Sequence, residues 1–116
     1  MRLYLSAPLF SQTERQFNRR LAAELTRLLP RCAVVLPQDF RAGGGASFND
    51  RRRFHALFQK CIDEIRRADI VVALLDGADA DSGTAFEVGY ARGIGKPVLG
   101  VRTDYRQLQE KGLNLM

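Results

Sequence analysis

The chain has 116 residues, which suits one domain with a modest hydrophobic core. Its hydrophobic content of 46% and charged content of 27% are ordinary for a globular protein. No apolar run has the length of a signal peptide or a membrane span, so we expect a cytoplasmic protein without a membrane partner. The net charge is +5, but the segment from Asp76 to Glu87 holds four acids and no base. A phosphodiester backbone would be repelled there, which argues against a nucleic-acid partner.

The sequence lacks the usual patterns of metal and cofactor sites. Cys32 and Cys61 stand in apolar contexts and His55 lies in a basic segment, without metal-ligand spacing. Gly93 and Gly95 fall at a predicted helix end, whereas a glycine loop that cradles phosphate precedes a helix. We therefore expect reduced thiols, no metal and no cofactor.

The chain begins with a short strand and a capped helix. Residues 3–5 form the first predicted strand. Ser11 and Glu14 have the spacing of a capping box at the start of the first helix, and Pro30 ends that helix. Residues 32–36 then form a second, buried strand.

A loop and a second helix follow. The loop spans residues 38–49 and contains three glycines at 43–45, which suit a mobile lid and a flexible connection equally well. Asn49 or Asp50 can cap the second helix. Apolar residues recur in this helix at three- and four-residue spacing, and Arg66-Arg67 close it, where positive charge suits the helix dipole.

The second half predicts a strand, a helix, another strand and a short terminal helix. The first three of these elements are expected at residues 70–75, 83–94 and 97–101. Ser82 is the expected N-cap of the third helix and Gly95 its terminator. A ridge of small residues on that helix, Ala85, Gly89 and Gly93, is expected to pack on the sheet. Thr103-Asp104 can cap the terminal helix.

This pattern predicts the fold class. Strands that are apolar on both faces and alternate with helices indicate a parallel sheet covered on both sides. We expect one α/β domain over residues 1–116, with a flavodoxin-like or Rossmann-like three-layer fold. Its small doubly wound parallel sheet is expected to have flavodoxin-like strand order. Ligands of such sheets bind at the carboxyl ends of the strands, where the strand order switches. This rule puts Tyr4 to Ser6 beside the segment 76–87.

The chemistry of that segment is carried by carboxylates. Glu87 is an acid in an otherwise apolar helix, and its early position lets the helix dipole favour the ionised form. Carboxylates around one cleft suit glycosyl transfer, in which one acid attacks the anomeric carbon. Asp79 and Asp81 could hold sugar hydroxyls or a base edge, and Tyr4 could orient the attacking carboxylate. Alternatively, Glu87 complements the dipole and the aspartates form a solvated turn.

Five segments in fixed order resemble the nucleoside 2-deoxyribosyltransferase family, from Tyr4 to Met116. They are Tyr4–Phe10, Ala68–Gly77, Asp81–Ala91, Gly95–Val98 and Asn114–Met116. The central segment is the most specific, since it combines an aspartate, a glycine, a glutamate and a second glycine at set spacing.

The resemblance implies a retaining, double-displacement exchange of nucleobases on 2-deoxyribose. Glu87 matches the nucleophile that forms a covalent deoxyribosyl ester, Asp81 the acid that holds the sugar, and Tyr4 the tyrosine that positions the glutamate. Asn114 and Met116 match residues that complete the site of a neighbouring subunit, so we expect a homo-oligomer, a dimer or higher, with shared sites. The expected partners are a deoxynucleoside and a free nucleobase. The candidate substrate-binding residues are Ser6, Asp76, Gly77, Asp79, Gly83, Asn114 and Met116.

The sequence departs from the family pattern in two places. Cys61 aligns with the family's second aspartate, which would donate a proton to the leaving base. Here we expect Asp79 or a water to donate that proton. The family also continues beyond the segment that ends at Met116 with a further strand and helix. We therefore expect a C-terminally truncated version of the fold, or a sheet completed by a partner.

Three other functions compete with base exchange. Deoxynucleoside monophosphate N-glycosidases resemble the same central segment but transfer the sugar to water. The apolar run after Ser6 favours an unphosphorylated nucleoside, whereas the basic residues near Arg51 leave the monophosphate open. A non-catalytic nucleotide-sensing module would suit Cys61 and the short C-terminus. A nucleic-acid-binding domain comes last.

Overall fold

The computed structural model describes residues 1–40 and 51–104. In these residues the predicted alternation of strands and helices is confirmed, and each strand is within one residue of its predicted bounds. The elements are β1 (Arg2–Ser6), α1 (Gln12–Leu28), β2 (Ala33–Val35), a short 3-10 helix (Pro37–Asp39), α2 (Arg51–Arg67), β3 (Ile70–Leu74), α3 (Ser82–Gly93) and β4 (Val98–Val101). None of the described helices combines the length and apolar content that crossing a membrane would need.

The four strands form one parallel sheet in the order β2-β1-β3-β4, which confirms the flavodoxin-like order. The chain moves from β1 to one side for β2 and returns past β1 to the other side for β3. The carboxyl ends of β1 and β3 therefore meet at the switch point, where doubly wound folds hold their ligands. Ser6, at the end of β1, pairs in register with Ala73 of β3.

The sheet separates two buried clusters, one on each face. Alternate residues of β1 supply both, because successive side chains of a strand point to opposite faces. Leu3 and Leu5 join the cluster covered by α1, and Tyr4 joins the cluster covered by α2 and α3. The buried members are Leu3, Leu5, Cys32 and Val72 on the first face and Tyr4, Val35, Ile65, Ala68, Val71 and Ala91 on the second. The doubly wound architecture is thus confirmed.

The capping prediction is confirmed for α1 and wrong for α3. Ser11 Oγ accepts the amide of Glu14 at 3.1 Å, and Glu14 Oε2 accepts the amide of Ser11 at 2.7 Å, a complete capping box. In α3 the N-cap is Asp81 and not Ser82, since Asp81 Oδ2 accepts the amide of Thr84 at 3.0 Å. Gly95 lies just beyond α3 with φ of +80°, and so ends the helix as predicted.

The predicted small-residue ridge of α3 does not face the sheet. A Cβ atom added to Gly89 or Gly93 would meet nothing within 4 Å, and Ala85 is exposed. The buried side chains of α3 are Thr84 and Ala91, which are seven residues apart and therefore lie on one face two turns apart. The predicted ridge begins at Ala85, one residue after the buried Thr84. It is therefore turned by about 100° around the helix axis from the buried face.

Aromatic side chains of α2 and α3 form an exposed cluster on the outer surface. Phe54, Phe58 and Phe86 are 55%, 45% and 50% exposed, although the periodicity of α2 had placed its two phenylalanines in the apolar stripe. The ring centroids of Phe58 and Phe86 are 5.7 Å apart, and those of Phe86 and Tyr90 are 6.3 Å apart. We call Phe58, Phe86 and Tyr90 the outer aromatic cluster.

Several predicted features lie outside the described residues. They are the glycines 43–45, the cap at Asn49 or Asp50, the short helix after Thr103-Asp104, and the segment with Asn114 and Met116.

Candidate active site

The carboxylate of Glu87 is held at the carboxyl end of β1 by two hydroxyl groups. Tyr4 Oη donates to Glu87 Oε1 at 2.7 Å, and Ser6 Oγ donates to Glu87 Oε2. Tyr4 and Ser6 are two residues apart on β1, so their side chains point to the same face of the sheet. Both are fully buried, with 0% exposure. Each carboxylate oxygen therefore has its own fixed donor.

Burial controls the ionisation of Glu87. Loss of solvent raises the pKa of this carboxyl group, and the negative charge of Asp81 adds to the rise. The hydrogen bonds from Ser6 and Tyr4 lower the pKa, but the balance remains a raised value. The helix dipole was expected to favour ionisation, and burial outweighs it.

Tyr4 is a permanent donor in this site. Burial, and then the neighbouring Glu87 carboxylate, raise the pKa of the Tyr4 hydroxyl far above its ordinary value. The hydroxyl therefore keeps its proton at neutral pH. It can orient the carboxylate but cannot serve as a general base.

Cys61 of α2 lies beside Tyr4. Its side chain packs against the buried cluster that contains Tyr4, and the thiol and the Tyr4 hydroxyl are close enough for each to affect the pKa of the other. Burial raises the pKa of the thiol, and the charge of Glu87 raises it further, against the lowering effects of Tyr4 and Lys60. The thiol is thus neutral at neutral pH. An aspartate here would add a second buried negative charge beside Glu87, which the thiol avoids.

Asp81 lies at the start of α3 and acts electrostatically on Glu87. Its Oδ2 accepts the amide of Thr84 at 3.0 Å and the Thr84 hydroxyl at 3.3 Å. A Cβ atom on Gly83 would come within 3.2 Å of this oxygen, so glycine leaves room for the cap. Among residues 1–40 and 51–104, no three His, Cys, Asp or Glu side chains are grouped closely enough to hold a metal ion.

Asp76 ties the segment after β3 to the segment after β4. Its Oδ1 accepts the amides of Thr103 at 2.5 Å and Asp104 at 3.0 Å, and its Oδ2 accepts the Thr103 hydroxyl. Both oxygens are therefore engaged by the protein. This structural role accounts for the carboxylate, and a contact with substrate stays a prediction.

Gly77 makes a turn that a larger residue would strain. Its φ is +103°, and a Cβ atom would come within 3.0 Å of the carbonyl oxygen of Asp79. Its amide donates to Asp104 Oδ2 at 3.1 Å, and its carbonyl oxygen accepts from Arg102 Nη1 at 3.0 Å. Asp79 follows in the same loop, so the candidate residues 76–81 form a tethered segment beside Glu87.

Asn18 is a buried polar residue that the sequence analysis missed. It is 2% exposed, and its Nδ2 donates to the carbonyl oxygen of Pro8 at 2.9 Å and to Gln38 Oε1 at 3.1 Å. It thereby joins the segment after β1 to the turn after β2. The available signal was its spacing from Leu21 and Leu25, which places Asn18 on the inward face of α1.

Replacing Glu87 by glutamine is expected to stabilise the folded protein at neutral pH. Because burial raises the pKa of Glu87 above its ordinary 4.5, the folded state holds the proton to higher pH than the unfolded state does. The stability that protonated Glu87 contributes is therefore lost as the pH rises from the unfolded-state pKa through the higher folded-state pKa. Glutamine cannot ionise, so the variant does not lose this stability. Urea unfolding should show a gain of about 1 kcal/mol near neutrality and none below about pH 4. A gain that is the same at both pH values would contradict this electrostatic origin.

The family model for nucleoside 2-deoxyribosyltransferases matches residues 3–116. No protein with curated annotation matches the chain. Several solved structures are similar over most of it, among them the following three. A conserved protein from Enterococcus faecalis V583 is 32% identical with a TM-score of 0.78, covering 95% of this chain and 68% of that one. A 2-deoxyribosyltransferase from Bacillus psychrosaccharolyticus is 25% identical with a TM-score of 0.77, covering 91% and 75%.

The third is a 2-desoxiribosyltransferase from Leishmania mexicana, 28% identical with a TM-score of 0.67, covering 89% of this chain and 65% of that one. The regions of similarity thus cover between 65% and 75% of the length of these three proteins.

Proposed function

Because the chain belongs to the nucleoside 2-deoxyribosyltransferase family, we propose that it transfers 2-deoxyribose between nucleobases with retention of configuration. The observation that carries the proposal is the Glu87 carboxylate, held by Tyr4 and Ser6 at the switch point of the sheet. A half-buried carboxylate with fixed donors on both oxygens is suited to attack a sugar carbon, since it needs little reorganisation.

The reaction has two displacements. A Glu87 oxygen attacks the anomeric C1′, and the C1′–N bond breaks with its electron pair leaving on the base. The base takes a proton from Asp79 or a water, because Cys61 offers a weakly acidic thiol. A ring nitrogen of the second base then attacks C1′ from the opposite face, the ester bond returns its electrons to Glu87, and the new base loses its proton. Two inversions give retention.

Asp81 is proposed to hold the sugar through Oδ1, since Oδ2 caps α3. A carboxylate anchored to a helix start is a rigid acceptor for a hydroxyl group. Asp76 and Gly77 support the loop that carries it. In this arrangement one segment supplies both the nucleophile and the sugar contact.

The site is proposed to be completed by a second copy of the chain. The outer aromatic cluster supports this, because a contiguous exposed apolar patch marks an interaction surface. Asn114 and Met116 are the residues that would enter the neighbouring site. Sedimentation analysis of the intact protein and of Phe58→Glu tests this, with a shift of the variant toward monomer as the supporting result.

The test of the proposed function is incubation with a 2′-deoxynucleoside and a second free base, followed by chromatography of the products. A new nucleoside supports transfer. Free deoxyribose instead identifies a hydrolase, and a parallel reaction with a deoxynucleoside 5′-monophosphate decides which substrate such a hydrolase takes. Binding without turnover identifies a sensing module.

Tyr4→Phe is expected to slow exchange by about 10- to 100-fold, because it removes one hydrogen bond to a charged group, worth about 1.5–3 kcal/mol. The ring and its packing in the buried cluster remain. The matched control is Thr26→Ala, which removes a hydroxyl that donates to the Ala22 carbonyl within α1 at 2.8 Å, away from the site. Initial rates of both variants at saturating substrate measure the effect. Equal rates for the two variants would contradict the role of Tyr4.

A further inference from the structure

We propose that Ser6 is a positioning residue for Glu87 and not a substrate-binding residue; this inference rests on the proposed function. Ser6 has 0% exposure, so no part of its side chain is open to a ligand. Its Oγ donates to Glu87 Oε2. The hydroxyl group is thus already committed to the carboxylate before any substrate arrives.

Ser6 fixes a torsion that Tyr4 alone leaves free. The terminal torsion of a glutamate is broad, so a carboxylate held through one oxygen can still rotate. Tyr4 holds Oε1 and Ser6 holds Oε2, and together they set the plane of the group. The Ser6 backbone pairs with Ala73 of β3, which gives the second donor a rigid support. Orientation of a nucleophile within narrow limits is what a near-attack geometry requires.

Ser6 also keeps the carboxylate available as an anion. The titratable groups that face Glu87 in the described residues are Tyr4 from β1, Cys61 from α2 and Asp81 at the start of α3. Tyr4 and Cys61 are neutral, and Asp81 opposes ionisation. The hydrogen bond from Ser6 is the strongest of the effects that lower the pKa of Glu87 against burial. Ser6 gives up no proton in the reaction, since the new bond joins Glu87 to C1′ and the base carries away the electron pair.

Ser6→Ala is therefore expected to lower kcat about tenfold, the effect of about 1.4 kcal/mol, and to leave KM unchanged. The acidic limb of the profile of kcat/KM against pH should move to higher pH, because more of Glu87 is protonated. Ser6→Thr, which keeps the hydroxyl, should restore both. The matched control is Thr26→Ala, whose hydroxyl donates to the Ala22 carbonyl within α1 at 2.8 Å and should change neither.

A second measurement does not depend on activity. The ¹³C carboxyl signal of Glu87, followed against pH without substrate, should titrate at higher pH in Ser6→Ala than in the unmodified protein. An unchanged titration, or a raised KM with unchanged kcat, overturns the inference. If the unmodified protein forms no new nucleoside, the proposed function fails, while the titration still tests the link between Ser6 and Glu87.

Discussion

Replacement of Glu87 by alanine is expected to reduce base exchange by at least about 10³-fold, because no other group that the structure describes in the site is set to form the covalent ester. Tyr4 is a neutral donor, and Cys61 carries a protonated thiol. Asp81 has one oxygen committed to the start of α3. The initial rate of exchange between a deoxynucleoside and a second base measures the loss.

The variant should remain folded. Alanine favours the helical conformation, and removal of a half-buried carboxylate also removes its desolvation cost. Circular dichroism and thermal unfolding check this. A matched control is Glu24→Ala, which removes an exposed glutamate of α1 that pairs with Arg27 at 2.8 Å. This control should exchange bases at the unmodified rate.

Direct detection of the intermediate separates a nucleophile from a merely structural acid. Rapid denaturation during turnover, followed by mass spectrometry of the peptides, should show a deoxyribosyl group on the peptide that contains Glu87. The alanine variant should show none. Exchange at the normal rate by Glu87→Ala, or an adduct on another peptide, would sink the proposed mechanism.

Short-range patterns predict most of the fold. The apolar runs at 70–75 and 97–101, and the helical spacing between them, define the elements because each pattern is complete within a few residues. The switch-point rule then brings Tyr4 beside Glu87 from 83 residues away in the chain. Glu87 itself is conspicuous in sequence, since a charged residue in an apolar helix is costly unless it is used.

Features that depend on distant partners could not be predicted. Asp76 suggests a ligand contact in sequence, yet its oxygens bind Thr103 and Asp104, which lie 27 and 28 residues later. The choice of Asp81 over Ser82 as N-cap could not be made from the sequence either, because aspartate and serine are about equally favoured at that position. The exposed position of Gly89 likewise depends on the rotation of α3 against the sheet, and a stripe of small residues leaves that rotation open.

The second large effect concerns the start of β1, the strand that carries Tyr4 and Ser6. Arg2 Nε donates to Glu64 Oε2 of α2 at 3.0 Å, and Nη2 contacts the same oxygen. The side chains differ in exposure, 38% for Arg2 and 10% for Glu64. A second cation is Arg67, whose Nη1 is 3.7 Å from Glu64 Oε1 and whose side chain is 69% exposed. Removal of Arg2 therefore leaves the buried Glu64 carboxylate without its main partner. Removal of Glu64 instead leaves an arginine that can reach water.

Arg2→Ala should accordingly lower the free energy of unfolding by about 3 kcal/mol, and Glu64→Gln by only about 1 kcal/mol. At this chain length the larger loss lowers Tm by about 10 °C. Arg27→Ala is the matched control, because its pair with Glu24 is exposed on both sides and such pairs contribute about 0.5 kcal/mol or less. Urea and thermal unfolding of the three variants give the comparison. Equal losses for Arg2→Ala and Arg27→Ala would mean that solvent screens the Glu64 carboxylate despite its burial.

Below its Tm, Arg2→Ala should keep the unmodified exchange rate, because pairing of β1 with both β2 and β3 still holds Tyr4 and Ser6 against Glu87.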